Sequence, residues 1–176
     1  QLLVGHSLGG AAVLAAAERL ASVNAVATLA APASAEHVLR QFGSELETIE
    51  SEGSAEVRLA GRPFRIRRDF VEDARTHSVE ERLRELRRAL LILHSPMDEV
   101  VSIDNAETLF RAALHPKSFV SLDDADHLLT DDAASRYAGR VIASWAERFL
   151  EIERPEPVEG VCVSSRTQDG FVSRVQ

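Results

Sequence analysis

Short apolar runs alternate with helix-forming segments along most of the chain. The run at Gln1–Gly5 predicts a buried strand, and the Ala- and Leu-rich segment Leu8–Leu20 predicts a helix. Further strands are predicted at the apolar runs NAVATLAAP, ALLILH and KSFVSL. Because strands and helices alternate in this way, we predict an α/β fold whose mostly parallel sheet is covered by helices on both faces.

Four further segments carry a pattern typical of helices. A short helix is predicted at Ala35–Phe42, and a longer one begins at the capping box Ser78-Val79-Glu80-Glu81. The helix after the capping box should bury one face, formed by Val79, Leu83, Leu86 and Leu90. A helix at Ile103–Leu114 should bury Leu109, Phe110 and Ala113, and the last helix should place Tyr137, Val141, Ile142, Trp145 and Phe149 in the core.

The segment AEVRLAGRPFRIRRDF alternates apolar and polar residues around Gly61. This alternation predicts a β-hairpin with Val57, Leu59, Phe64 and Ile66 on its apolar face. Its arginines are interpreted as a solvated face, since the polar positions of such a strand normally face water. The hairpin is also a candidate for a short lid over a site.

The character of the chain changes after Leu150. Residues 1–150 form the predicted α/β unit, and the Glu- and Pro-rich segment 151–158 is typical of an interdomain linker. Residues 159–176 alternate around Asp169-Gly170, which predicts a second hairpin. Since the chain begins with Gln inside a predicted strand and ends within this hairpin, we expect it to be part of a longer protein.

Composition narrows the possible functions. The 176 residues are 45% apolar and carry a net charge of −8, with both signs mixed along the chain, which argues against nucleic-acid binding. No stretch has the length of a membrane span, and no signal peptide is visible. Cys162, the one cysteine, cannot form an internal disulfide, so we expect a reducing, cytoplasmic compartment.

The residues Gly5-His6-Ser7-Leu8-Gly9 match the pattern G-x-S-x-G between a predicted strand and a predicted helix. Small residues on both sides of the serine suit a tight, strained turn that exposes its hydroxyl at the start of the helix. There, the free backbone N–H groups and the helix dipole favour a developing negative charge. Ser7 is therefore a candidate nucleophile, and the Leu8 N–H is a candidate oxyanion donor.

A serine nucleophile needs a base, and the base needs an orienting carboxylate. We favour His127 as the base because DDADHLL follows the last predicted strand of the sheet, where catalytic loops lie. His94 ends a strand close to this position and could shape the pocket or form a local hydrogen bond. The other histidines suit the role less well: His6, whose ring should point away from the Ser7 hydroxyl, and His37, His77 and His115, which lie in surface or turn segments.

For the carboxylate we favour Asp98 in LILHSPMDEVV, since the apolar pattern that follows should turn Glu99 outward. Three acidic residues beside the histidine could compete for its Nδ1, although solvation and turn formation are their ordinary roles: Asp123, Asp124 and Asp126. An acidic loop would also favour the protonated form of the base. The candidates follow one another as Ser7, Asp98 and His127, the chain order of one particular fold.

The segments LLVGHSLGG, LLILHSPMDEVV and SLDDADHLL resemble the nucleophile turn, acid loop and histidine loop of the α/β-hydrolase family. Residues 1 to about 150 thus resemble the C-terminal portion of that family, from the nucleophile strand onward. With the linker and GVCVSSRTQDGFVSRVQ, the chain resembles bacterial bifunctional proteins in which an α/β hydrolase precedes an OsmC-like α+β domain. The OsmC-like part implies thiol-dependent peroxide reduction by two cysteines, and Cys162 does not match either of them. Neither a metal nor another cofactor is implied for the hydrolase part.

The resemblance implies a serine hydrolase that acts on a small-molecule carboxylic ester, thioester or amide. The family's upstream oxyanion donor and first strands are absent, so we expect an unpaired edge on the nucleophile strand and poor activity of residues 1–176 alone. The alternative is a catalytically silent hydrolase-like module that docks or regulates the OsmC-like domain. The oligomeric state stays open.

Overall fold

The structure, a computed structural model, describes residues 1–34, 39, 42–59, 61–76, 79–151, 165–168 and 172–175. In chain order, the described elements are β1 (Leu2–His6), α1 (Leu8–Arg19), β2 (Ala25–Leu29), α2 (Glu45–Glu52), β3 (Ser54–Leu59), β4 (Arg62–Arg67), α3 (Arg68–Thr76), α4 (Val79–Glu85), β5 (Ala89–His94), α5 (Asp104–Ala112), β6 (Lys117–Ser121), α6 (Asp132–Ala146), β7 (Ser165–Gln168) and β8 (Val172–Val175).

Four strands form a parallel sheet in the order β1-β2-β5-β6. This arrangement confirms the predicted parallel sheet. Strand β5 is buried along its whole length, as the uninterrupted apolar run ALLIL requires of a strand covered on both faces. Among the described residues β1 is an edge strand, and the side chain of Val4 on it is half exposed.

Helices pack on both faces of this sheet, as predicted. On one face, Leu14 of α1 and Leu109 of α5 pack with Leu90 and Ile92 of β5. On the opposite face, Ile142 and Trp145 of α6 pack with the alternate β5 residues, Leu91 and Leu93. The alternation of side chains along β5 thus places its apolar residues in two cores, one on each face of the sheet.

The elements α2, β3, β4 and α3, which we call the cap, form a third apolar cluster between β2 and β5 in the chain. Strands β3 and β4 pair antiparallel, which confirms the predicted hairpin at Gly61. Val57 and Ile66 are buried in the cap, but Phe64 is 45% exposed, so its predicted burial is wrong. Leu8, the residue after the candidate nucleophile, packs against this cluster.

Two other details of the predicted pattern differ in the structure. Leu90 does not lie on the α4 face, because α4 ends at Glu85. After that residue, Arg87 has a φ of +44°, which is incompatible with a continuing helix before β5 begins. Tyr137 is 52% exposed and does not share the core position of Ile142 and Trp145.

Some predicted features lie outside the described residues: most of the helix at 35–42, Ser78 of the capping box, the linker after residue 151 and Cys162. Strands β7 and β8 pair antiparallel, as the predicted C-terminal hairpin requires. No helix in the described part of the chain combines the length and the apolar character needed to cross a lipid bilayer.

Candidate active site

Ser7 occupies the turn between β1 and α1 in a strained backbone conformation. Its φ of +52° and ψ of −126° lie in a region that residues with a Cβ rarely adopt. Backbone hydrogen bonds hold the turn: the Ser7 N–H donates to the Leu29 carbonyl at 2.8 Å, and the Ser7 carbonyl accepts from the Gly10 N–H at 2.8 Å. The sheet and the first turn of α1 therefore enforce this conformation and present the hydroxyl at the carboxyl edge of the sheet.

The glycines around Ser7 differ in how much space surrounds them. A Cβ at Gly5 would overlap the Gly9 carbonyl oxygen and lie 2.7 Å from Val13 Cγ2. At Gly9, in contrast, no described atom beyond its chain neighbours and the adjacent helix backbone lies within 4 Å of the position that a Cβ would occupy. The expected steric requirement is thus met at Gly5 and is wrong for Gly9. The second position that requires a glycine is Gly10, since a Cβ added there would lie 2.5 Å from the Ala31 Cβ.

His127 lies within hydrogen-bond distance of both other candidate residues of the Ser-Asp-His set. The His127 Nε2 is 3.0 Å from the Ser7 Oγ, and the His127 Nδ1 is 2.8 Å from the Asp98 Oδ2. A carboxylate oxygen only accepts, so Nδ1 carries the proton and the bare Nε2 accepts from the serine hydroxyl. His127 and Asp98 are both buried.

The loop after β5 fixes the carboxylate of Asp98. Its Oδ1 accepts the backbone N–H groups of Val100 and Val101, each at 2.9 Å, which leaves Oδ2 directed at His127. The neighbouring Glu99 is exposed, as its predicted outward orientation requires. The structure therefore brings Asp98, and not Glu99, to the histidine.

The acidic residues beside His127 do not compete for its ring, because Nδ1 contacts Asp98. Asp123, Asp124 and Asp126 are exposed. The Asp126 carboxylate accepts the Thr130 N–H at 2.7 Å, and this backbone hydrogen bond holds the pKa of Asp126 below its ordinary value. Asp126 thus shapes the loop that carries the histidine.

Two other histidines lie beside these residues. The His6 Nε2 is 2.7 Å from the carbonyl oxygen of His127, and the two rings are 5.0 Å apart. The His94 Nε2 is 2.8 Å from the Val101 carbonyl oxygen. Both lie near the site, as predicted, but the contact of His6 with the histidine loop has no local signal in the sequence. His115 is exposed, and His37 and His77 lie outside the described residues.

The Leu8 N–H belongs to the first turn of α1, where backbone N–H groups have no partner within the helix. It lies next to the Ser7 hydroxyl in the chain, at the positive end of the helix dipole. Within the described ranges, no cluster of three or more His, Cys, Asp or Glu side chains is arranged to hold a metal ion.

Comparisons with known proteins relate this arrangement to solved structures. No family model matches the chain, and no curated protein does. The esterase domain of a Rhodothermus marinus protein is 50% identical, with a TM-score of 0.77, over 84% of this chain and 61% of that domain. The mouse alpha/beta hydrolase domain-containing protein 10 is 23% identical, with a TM-score of 0.63, over 84% of this chain and 62% of its own.

Est1E from Butyrivibrio proteoclasticus is 21% identical, with a TM-score of 0.62, over 82% of this chain and 59% of its own. This chain therefore spans about three fifths of the length of the structures it matches. The likeness to Est1E and to the mouse protein concerns the fold, whereas the Rhodothermus marinus domain also shares half of the aligned sequence. The parallel sheet, the helices on its two faces and these structural likenesses show that this chain has an α/β-hydrolase-like fold.

Proposed function

We propose that this chain carries the nucleophile, base and acid of a serine hydrolase that cleaves a carboxylic ester, thioester or amide of a small molecule. The observation that carries the proposal is the continuous hydrogen-bonded series from Ser7 through His127 to Asp98, with its nucleophile on a strained turn. A serine paired to an oriented imidazole in this way is the arrangement that activates a hydroxyl for acyl transfer.

In the first step, the Ser7 Oγ attacks the substrate carbonyl carbon while the His127 Nε2 takes the hydroxyl proton. The new C–O bond converts the carbonyl oxygen into an oxyanion. When the tetrahedral intermediate collapses, the bond to the leaving group breaks and the His127 Nε2–H protonates the departing oxygen, sulfur or nitrogen. The products of this half-reaction are the free alcohol, thiol or amine and an acyl ester on Ser7.

In the second step, water attacks the acyl ester and gives its proton to the His127 Nε2. Collapse of this intermediate releases the carboxylic acid and returns the proton from His127 to the Ser7 Oγ. Asp98 accepts the Nδ1–H throughout and stabilises the imidazolium that forms in each half-reaction. The two N–H groups on Asp98 Oδ1 keep this carboxylate from rotating away.

We assign the Leu8 N–H as one donor to the oxyanion, since it follows the nucleophile at the start of α1. A second donor would come from the part of such domains that this chain does not span. Because losing one donor typically lowers kcat by about 10²–10³-fold, we expect residues 1–176 alone to be a poor enzyme.

Among the three bond types we favour the carboxylic ester. The support is the 50% identity with a domain described as an esterase. The contact of Leu8 with the cap supports a role for the cap beside the reacting centre, in agreement with the proposed lid.

We keep two further expectations as proposals. Residues 159–176 begin an OsmC-like domain of the longer protein to which we expect this chain to belong, which we call the parent protein. The support is the antiparallel pair β7–β8 and the Glu- and Pro-rich segment before it. The compartment is cytoplasmic, supported by the single cysteine.

The test is hydrolysis of matched short-chain ester, thioester and amide substrates by the parent protein, with Ser7→Ala as the control. We expect ester cleavage that Ser7→Ala abolishes. A folded parent that cleaves none of the three substrates would favour the alternative, a silent module that docks the OsmC-like domain.

A further inference from the structure

His94 is a fully buried imidazole that the reaction steps above do not use. It is the last residue of β5, which otherwise carries only apolar side chains, and its carbonyl accepts the Leu122 N–H at 2.9 Å at the end of β6. A leucine at this place would continue the apolar run of the strand. The polar ring therefore calls for a reason in its contacts.

The contacts of the ring settle its proton. The Nε2 lies 2.8 Å from the Val101 carbonyl oxygen, which can only accept, so Nε2 carries a hydrogen and donates it. The Nδ1 is buried and has no hydrogen-bond partner among the described residues. Burying a ring nitrogen without a hydrogen-bond partner lowers the stability of the fold. We therefore expect the role of His94 to lie in the one hydrogen bond that its ring forms.

That bond leads directly to the candidate acid. Val101 receives the His94 hydrogen bond at its carbonyl and donates its own N–H to the Asp98 Oδ1 at 2.9 Å. The His94 Nε2 also lies 3.6 Å from the Asp98 Oδ2, the oxygen that faces His127. The His94 N–H thus holds Val101, whose own N–H binds the Asp98 Oδ1, and it places a polar hydrogen near the Asp98 Oδ2.

We propose that His94 is a positioning residue that acts through Asp98: it fixes the Asp98 carboxylate in the orientation that receives the His127 Nδ1–H. This inference rests on the proposed function for its effect on rate. The hydrogen-bond geometry that it describes can also be measured without turnover.

Three variants of the parent protein separate a donor at the right place from packing. His94→Gln can place an amide N–H near the position of Nε2, His94→Asn carries the same group on a shorter side chain, and His94→Leu removes it. We expect kcat for ester hydrolysis to fall by about 10²-fold in His94→Leu and His94→Asn with little change in KM, because the acid is misplaced. His94→Gln should recover most of this loss.

A second arm combines these variants with Asp98→Ala. If His94 acts through Asp98, His94→Leu causes no further loss of kcat once Asp98 is absent. A loss of the same size in both backgrounds would mean that His94 supports the fold in general, and it would overturn the inference. Equal kcat in His94→Gln and His94→Asn would overturn it as well.

The arm that does not depend on turnover is proton NMR of the His127 Nδ1–H, identified by its loss in His127→Gln. We expect this resonance to persist in wild type and His94→Gln and to weaken or move upfield in His94→Asn. If wild type hydrolyses none of the ester, thioester and amide substrates but the resonance follows this pattern, the proposed function fails and the inference stands. An unchanged resonance in His94→Asn would overturn the inference, whatever the activity.

Discussion

The His127 Nε2 lies 3.0 Å from the Ser7 Oγ, although the two residues are 120 positions apart in sequence and follow the two edge strands of the four-stranded sheet. Three inter-strand spacings separate β1 from β6, or about 14 Å. The loop after β6 must therefore cross the carboxyl ends of β5 and β2. Hydrogen bonds hold it on the way: the Ser95 Oγ donates to the Asp123 carbonyl, and the His6 Nε2–H donates to the His127 carbonyl.

This crossing predicts a role for His6, the last anchor of the loop. His6→Leu removes the N–H that holds the His127 carbonyl, so the base should lose its alignment with Ser7 and kcat should fall by about 10²-fold. His6→Gln, which can donate at a similar distance, should retain most of the activity. The measurement is kcat and KM for ester hydrolysis by the parent protein. Wild-type kcat in His6→Leu would mean that the loop does not need this anchor.

The backbone of Ser7 predicts a stability difference between two inactive variants. Both Ser7→Gly and Ser7→Ala lack the hydroxyl, but only alanine keeps a Cβ at a φ of +52°. Ser7→Gly should therefore be more stable than Ser7→Ala by about 1 kcal/mol, since glycine adopts this conformation without strain. Urea unfolding curves give the comparison, and equal stability would show that the turn carries no strain.

The two glycines of the motif should respond differently to alanine. Gly5→Ala forces a Cβ into the Gly9 carbonyl, so it should lower the unfolding midpoint and the activity together. Gly9→Ala meets open space among the described atoms in α1, where alanine is the better helix former by about 1 kcal/mol. It should therefore leave activity intact and keep or raise stability. Destabilisation by Gly9→Ala would point to a neighbour outside the described residues.

The hydrogen bonds of Asp98 make Asp98→Asn a sharp test of its charge. An asparagine carbonyl at the Oδ1 position still accepts the N–H groups of Val100 and Val101, so the loop should keep its shape. Its NH₂ group would then face the His127 Nδ1 and favour the tautomer that cannot accept the serine proton. We expect kcat to fall by about 10⁴-fold with unchanged thermal stability. A loss below tenfold would remove Asp98 from the proposed mechanism.

Much of this arrangement is predictable from the chain itself, because its determinants are local. The uninterrupted apolar run at 89–93 requires a strand with two covered faces. Gly5, two residues before Ser7, is required by a tight strand-to-helix turn. Asp98 could be preferred over Glu99 since the apolar residues after it fix which side chain turns inward. These features depend on neighbours within a few positions.

The parts that escaped prediction depend on distant contacts. Phe64 and Tyr137 are both about half exposed, because whether a side chain is covered depends on the elements that pack against it and not only on its place in the local pattern. The ring of His6 was expected to turn from the nucleophile, but nothing in its neighbours indicated the carbonyl of residue 127 as its partner. Spacing alone cannot fix such pairings, because they arise where two loops meet.

Whether His127 activates Ser7 as a nucleophile is measured most directly by the rate of fluorophosphonate labelling of the parent protein, with the modified peptide identified by mass spectrometry. The proposed mechanism predicts a single adduct on Ser7, no adduct in Ser7→Ala, and labelling slowed by several orders of magnitude in His127→Ala. A folded parent that takes no label, or takes it on another residue, would contradict the claim that Ser7 is a nucleophile activated by His127.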